Sequence, residues 1–221
     1  MQVQFVTHSS VYSIKKIIKI LNSFDTLSFD TETRSVFDKK ERQKSKLIIQ
    51  NNEYNSNYEY KKNCLISNSS GLSFPSVVKT THFVFSTSPT VSHILICDNY
   101  VKENMVWNFI LKYKGKLIIH NALFDLKILY QRTGQLPKNY VDTSLLAKCF
   151  TNHVNVWKCK VGLKDLMGSY YDPKWSLMND YEPEDYNDED FLNYVAIDGA
   201  ATFYLYEFIK DEMAKNEKNN L

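Results

Sequence analysis

Paired cysteines, long apolar runs and charge of one sign are all lacking in this sequence. Its four cysteines, Cys64, Cys97, Cys149 and Cys159, show neither Cys-x-x-Cys spacing nor a paired framework. That excludes a disulfide scaffold, argues against a thiolate zinc site and favours a reducing, cytoplasmic setting. No stretch approaches the roughly 20 apolar residues needed to span a bilayer. The start, Met1-Gln2-Val3-Gln4-Phe5, lacks the basic residues and apolar run of a secretory leader, so the Asn68-Ser69-Ser70 sequon reads as incidental. With 27 Lys and Arg against 25 Asp and Glu, the formal charge is only +2. Any nucleic-acid contact must therefore come from local patches rather than bulk charge. There is no Gly-x-x-x-x-Gly-Lys loop to cradle a triphosphate. The expectation is a soluble intracellular chain without membrane contact.

What is present is enough for one domain with a real core: 221 residues, of which 43% are hydrophobic and 14% aromatic. Gln2 to Thr7 reads as a strand. Ser9 to Phe24 carries Val11, Ile14, Ile17, Ile18 and Leu21 at helical spacing, with Ser9 or Ser10 as cap. Leu27 to Phe29 is a short apolar strand that ends in the acidic group Asp30-Thr31-Glu32-Thr33. From about Phe37 to Lys79 the composition shifts to charge runs, Asn, Tyr and Ser, which marks an insertion in a single domain spanning 1–221. Within it a small hairpin is expected around Leu47–Gln50 and Tyr58–Ile66. Its plain reading is a surface loop; its functional reading is a tyrosine-bearing flap, with Tyr54, Tyr58 and Tyr60 stacking on bases.

Beyond the insertion, His82 to Ser86 and His93 to Cys97 read as two strands joined at Pro89. Helices are expected at Glu103 to Tyr113, Ala122 to Arg132 (stopped by Gly134), Thr143 to Phe150, Gly162 to Tyr170 and Asn193 to about Lys215, with a strand at Lys116 to His120. Asp172 to Asp190 is acidic and broken by proline, hence loop. This order gives an α/β layout with a mixed sheet and helices on its faces.

Three acidic groups stand out by context. Asp30 and Glu32 lie two apart at a strand end, so both can point to one face. Asp125 falls one turn into the helix after the Ile118-Ile119-His120-Asn121 strand end. Asp198 interrupts an apolar helix, with Tyr194 four residues before it on the same face. Buried carboxylates are costly unless paired or bound to a cation. Four converging acids point to divalent, oxygen-seeking metals, and paired Mg²⁺ ions on carboxylates and phosphate oxygens serve phosphodiester hydrolysis. Singly, each piece has an ordinary explanation: Asp-x-Glu as a turn and helix cap, and Tyr-x-x-x-Asp as packing beside a solvated acid. His120 reads as a strand-end histidine rather than a base, and His153, near Trp157, as structural or surface.

Together, Phe29-Asp30-Thr31-Glu32-Thr33, Asn121-Ala122-Leu123-Phe124-Asp125 and Tyr194-Val195-Ala196-Ile197-Asp198 resemble the three exonuclease motifs of the DEDD superfamily, the tyrosine matching its DEDDy branch. Tyr194 to Tyr206, Lys116 to Leu129 and Gly162-Leu163-Lys164-Asp165-Leu166 are similar to the proofreading exonuclease domain of family-A DNA polymerases. The likeness spans Leu27 to Lys210 apart from the insertion. It implies a ribonuclease H-like mixed sheet flanked by helices on both faces. It also implies a 3′–5′ exonuclease that releases nucleoside monophosphates from DNA, in replication proofreading or DNA processing. Asp30, Glu32, Asp125 and Asp198 would then hold two divalent ions, Mg²⁺ or Mn²⁺. Tyr194 would orient the attacking water, and Thr31 and Asn121 would contact the substrate. Asp142 matches a recurrent family position and equally suits a helix cap. The implied partners are single-stranded DNA or frayed 3′ ends and a separate DNA polymerase or replication protein. With no polymerase region after Leu221, the chain reads as a stand-alone exonuclease, a proofreading subunit or an excised domain. Two alternatives stay open: an RNA exonuclease resembling RNase D, and an inactive nucleic-acid-binding module on the same fold. Ala201-Thr202 and Asn121 lean towards DNA.

Overall fold

The computed structural model describes residues 1–35, 78–150, 160–178 and 187–219. The hairpin expected within the insertion, its tyrosines, His153 and Trp157 lie outside them. The elements are β1 (Gln4–His8), α1 (Val11–Leu21), β2 (Thr26–Ser35), β3 (Val78–Ser88), β4 (Val91–Ile96), α2 (Tyr100–Lys112), β5 (Lys116–Ile119), α3 (Leu123–Thr133), β6 (Tyr140–Asp142), α4 (Thr143–Phe150), α5 (Leu163–Tyr170), a 3-10 turn (Pro173–Leu177) and α6 (Glu189–Asn219). They build one six-stranded sheet in the order β1-β4-β3-β2-β5-β6. Among its strands β3 is antiparallel to β2 and β4, while β1–β4, β2–β5 and β5–β6 pair in parallel. This is the mixed sheet of a ribonuclease H-like fold.

Period-two alternation sends neighbouring side chains of each strand to opposite faces. On β2, Leu27 and Phe29 enter the core under α1, α2 and α3, beside Ile14, Ile17, Phe83, Phe85, Trp107 and Leu129. Phe29 and Phe83 each meet Trp107 edge-on there, with the Phe83 and Trp107 ring centroids 4.6 Å apart. The other face of the sheet carries α6: Val84 and Ile94 pack on Phe191, Val195 and Ala196, and Ile118 packs on Phe203 and Tyr206. The second half of α6 holds α4, α5 and the 3-10 turn through Ala147, Leu166, Met167, Trp175, Ala201 and Leu205. Ser10 is the residue that caps α1, in a capping box with Ser13, and Gly134 ends α3 at a φ of 68°.

Two expectations change, and one strand is new to the structure. β2 does not stop at the acidic group but runs through it to Ser35, because Asp30 and Glu32 pair with Val84 and His82 of β3. The segment at Tyr140–Asp142 is a strand, formed on the edge of β5. The last helix begins at Glu189, four residues before Asn193, with Glu189 and Asp190 in a first turn whose dipole favours acids.

α6 sits unusually close to the sheet. Ser28 Oγ donates to the Gly199 carbonyl at 2.7 Å, and Ser92 Oγ to the Ala196 carbonyl at 2.9 Å. A Cβ on Gly199 would lie 2.7 Å from Val84 Cγ1 and 2.9 Å from Ser86 Oγ. Alanine normally gains about 1 kcal/mol over glycine inside a helix. Here Gly199→Ala is expected to do the opposite and cost about 1–3 kcal/mol through overpacking. Urea unfolding checks the sign, and a gain in stability would mean that the helix can ride outwards.

Candidate active site

Ser28, Asp30 and Glu32 share the face of β2 that looks towards α6, by strand periodicity and by the bond from Ser28 to Gly199. That bond places Asp198, the residue before Gly199, at the same edge of the sheet. Asp125 reaches the edge from the first turn of α3. Asp125 and Asp198 are only 2% and 8% exposed, while Asp30 and Glu32 are half-buried. Thr31, expected to meet substrate, has a buried side chain whose hydroxyl donates to Asp125 Oδ1 at 2.5 Å. Its hydroxyl thus serves the carboxylate.

The electrostatics of this edge are unbalanced. Burial pushes the Asp30 carboxyl up from 3.8 to about 6, against a backbone hydrogen bond from Thr31 that favours the charged form. Asp125 is raised well above the ordinary range, first by burial and then by the charge of Asp30, with the Thr31 hydroxyl opposing. Among the described residues, no lysine or arginine lies within ion-pair distance of Asp30 or Asp125. Glu103, 3% exposed in the first turn of α2, shows the contrasting arrangement: Arg132 Nε lies 3.2 Å from its carboxylate and Trp107 Nε1 donates to it at 3.3 Å. One buried acid is compensated by the protein; the Asp30–Asp125 pair is left for something else to compensate.

The donor set at this edge is all oxygen, which suits Mg²⁺ or Mn²⁺ better than zinc. Among the described residues no three Asp, Glu, His or Cys side chains already stand together as a metal-holding group. Asp30 and Asp125 stand near enough for the charge of one to raise the other, and by themselves they do not make such a group. The described cysteines play no part: Cys97 is a buried free thiol pushed up to about 12 by burial, and Cys149 is free on the surface.

Asn121, four residues before Asp125, is exposed and in a left-handed conformation with φ 55°. The turn that holds it is made by Asp142, whose carboxylate accepts from the backbone N–H of Asn121 at 3.1 Å and of Ala122 at 2.9 Å. The same carboxylate accepts from Ser144 N at 2.8 Å and Ser144 Oγ at 2.7 Å. Asp142 therefore caps α4 and ties the β5–α3 turn to it, so the cap reading of this residue is the one its geometry supports. His120 is bonded to Thr143 Oγ1 at 2.8 Å and pushed down to about 4 by burial, so it is neutral at pH 7.

Tyr194 is half-buried on α6, one helical turn before Asp198. Lys164 of α5 lies over its ring, 5.1 Å from the centroid, and donates to its hydroxyl at 3.4 Å. Sequence reasoning gave Lys164 no role. The Gly162-Leu163-Lys164-Asp165-Leu166 stretch drew attention as a motif, and only packing shows that its lysine meets the tyrosine.

No helix among the described residues is long and apolar enough to cross a membrane. No curated protein matches the sequence. Among solved structures, NrnC of Brucella melitensis bound to pGG superposes with a TM-score of 0.59 at 14% identity, over 100% of this chain and 85% of that one. The same protein with bound Mg²⁺ gives 0.54, also at 14%, over 100% and 86%. The catalytic core of RRP6 from Trypanosoma brucei gives 0.65 at 13%, over 97% and 48%. RNase D of Escherichia coli, described as an exoribonuclease involved in structured RNA processing, gives 0.58 at 13%, over 97% and 46%. The chain thus spans about half the length of the last two. These likenesses speak for the fold, and the sequence speaks for the family: the model described as 3′–5′ exonuclease matches residues 85–214, more than half of the chain and a span that includes Asp125, Tyr194 and Asp198. The chain belongs to the 3′–5′ exonuclease family and has the fold of the DEDD exonucleases.

Proposed function

We propose that this exonuclease hydrolyses the terminal phosphodiester of single-stranded nucleic acid in a metal-dependent reaction and releases nucleoside monophosphates, with Asp30, Glu32, Asp125 and Asp198 as ligands for two divalent ions. The observation that carries it is the Asp30–Asp125 pair: two carboxylates raised by burial and mutual repulsion, with no described cation beside them, at a sheet edge that Asp198 also reaches. Mg²⁺ or Mn²⁺ bound there would supply Lewis acidity towards the phosphate and the attacking water. The protein's own share is positional. Thr31 fixes the Asp125 carboxylate. Asn121, exposed at its tight turn, would touch the terminal nucleotide. An ammonium group only donates, so the Tyr194 oxygen accepts from Lys164 and directs its own proton away from it. That proton can hold the oxygen of the attacking water in line with the phosphorus.

On the sugar, two readings have support. The resemblance to polymerase exonuclease domains leans towards DNA and a role in proofreading beside a polymerase. Its sequence support narrows to Asn121, because Ala201 and Thr202 are 0% and 1% exposed and Thr202 Oγ1 is turned to the Asp198 carbonyl at 3.0 Å. The RNA reading is favoured by the described activity of a structural neighbour, RNase D. Matched 5′-labelled DNA and RNA oligonucleotides with Mg²⁺ separate the two. A ladder of shortening products with nucleoside monophosphates is expected from the preferred strand, and none from a strand blocked at its 3′ end. Internal fragments, or shortening from the 5′ end, would overturn the reading.

A further inference from the structure

Away from the acidic edge, α1 and α2 lie side by side on the opposite face of the sheet from α6, and a groove of about 670 Å³ runs between them. Four lysines line it: Lys15, Lys16 and Lys19 from α1, and Lys112 from α2. All four are exposed, and among the described residues none of them pairs with a carboxylate. The groove lining contains no acid, and α1 has no acid in its first turn. In a chain whose net charge is only +2, this is a local concentration of positive charge.

The arrangement follows from helix periodicity. Tyr12, Lys15, Lys16 and Lys19 recur at the three- and four-residue spacing that makes one stripe of α1. The stripe is roughly 10 Å long at about 1.5 Å per residue, long enough to follow a strand rather than grip a single anion. Tyr12, 78% exposed, closes one end, and Ile18 and Met105 form an apolar floor. Cations beside an exposed aromatic ring and an apolar floor are what a single strand needs, phosphates to one side and bases to the other.

Topology connects the groove to the acids. β1 is parallel to β4, and both are antiparallel to β3, as is β2, so β1, β2 and β4 end at the same edge of the sheet. α1 follows β1 and α2 follows β4, so both helices start at that edge. The Tyr12 end of the groove opens at the end of the sheet where Asp30 and Glu32 lie, on the face opposite to their side chains.

We infer that the α1–α2 groove is a second binding site for nucleic acid, holding the sugar-phosphate backbone of the strand upstream of the 3′ end that is being cut. The identity of the polyanion rests on the exonuclease reading; the site itself rests on the groove.

The test is Lys15→Ser/Lys19→Ser/Lys112→Ser, with Lys→Arg at the same positions as a charge-preserving control. Affinity for an oligonucleotide of about 20 residues and for a dinucleotide is measured by fluorescence anisotropy in EDTA, across a salt series. For the long strand, the Ser variant is expected to bind at least about tenfold more weakly. Its salt slope should fall by roughly 2, at about 0.7 for each phosphate that the lysines no longer neutralise. The Arg variant retains both. Dinucleotide affinity, and dinucleotide turnover with Mg²⁺ restored, stay unchanged, because a dinucleotide at the acids does not reach the groove. Tyr12→Ala should weaken the long strand alone. Unchanged affinity and salt slope for the long strand would overturn the proposal and leave the groove as solvated surface or a site for an acidic protein. Because binding is read without hydrolysis, a protein that cuts neither DNA nor RNA yet shows the length-dependent weakening would sink the exonuclease reading and keep the groove.

Discussion

Asp198→Asn should reduce single-turnover hydrolysis to near background, while Tyr194→Phe on the same helical face loses only about 10²–10⁴-fold, the usual worth of a positioned proton donor. The two side chains stand one turn apart on α6, yet their proposed tasks differ in kind. Asp198 would supply charge to the proposed ion site, and an amide in its place keeps the shape but removes the charge that a hard divalent cation requires. Nucleophile formation, substrate placement and leaving-group stabilisation then fail together. Tyr194→Phe keeps the ring under Lys164 and removes only the hydroxyl that Lys164 meets at 3.4 Å. Neither change opens a cavity, and the bonds that seat α6, from Ser28 to the Gly199 carbonyl and from Ser92 to the Ala196 carbonyl, end on its backbone and survive both. Circular dichroism on both variants, with rates on one oligonucleotide, completes the comparison. Near-normal rates in Asp198→Asn would contradict the site assignment outright. Equal losses at both positions would keep the site and give Tyr194 a larger share.

Exhaustive chelation should abolish activity, with Mg²⁺ or Mn²⁺ restoring it and Ca²⁺ restoring it poorly. The same metals should raise the melting temperature more at about pH 7.5 than at about pH 5. The sign follows from the acids. Asp30 has its folded value raised from 3.8 to about 6, and Asp125 is raised in the same direction. The folded, metal-free protein therefore binds these protons more tightly than the unfolded chain, and their contribution to stability is lost as pH rises from about 4 through 6. A divalent ion offsets that loss only where the carboxylates are charged, so its gain grows with pH. His8 and His93, whose rings approach to 3.4 Å, are lowered by burial and act oppositely, their contribution being lost as pH falls. They lie on β1 and β4 away from the site, so their effect is common to the samples with and without metal and cancels in the difference. A gain that is equal at both pH values, or full activity after chelation, would remove the ion site from Asp30 and Asp125.

Much of this molecule was legible because its signals are local. Ile14, Ile17 and Leu21 repeat with the helix and become core. Ser10 and Gly134 are capping chemistry within one turn of the helices that they bound. The turn at Pro89 announced a hairpin between apolar strands. The candidate acids, too, could be named in advance, since Asp30 and Glu32 follow an apolar strand and Asp125 and Asp198 stand among apolar residues of their helices.

What stayed hidden belongs to interactions between residues far apart in sequence. Tyr140–Asp142 is too short to show alternation and is a strand only because β5 offers it an edge. β2 continues past its carboxylates because β3, which follows the whole insertion, pairs with them. Nothing around Asp142 says that it binds the backbone at Asn121 and Ala122 as well as its own helix, and nothing around Lys164 points to a tyrosine 30 residues on. The sequence by itself determined most of the secondary structure, the split of the apolar residues into two faces and the list of acids, because those depend on periodicity and on residue chemistry. Only the tertiary structure decided which of the described acids lack a cation. Compensation of a buried charge is set within a few ångströms, by whichever side chains folding brings there: Arg132 for Glu103, and, among the described residues, none for Asp30 and Asp125.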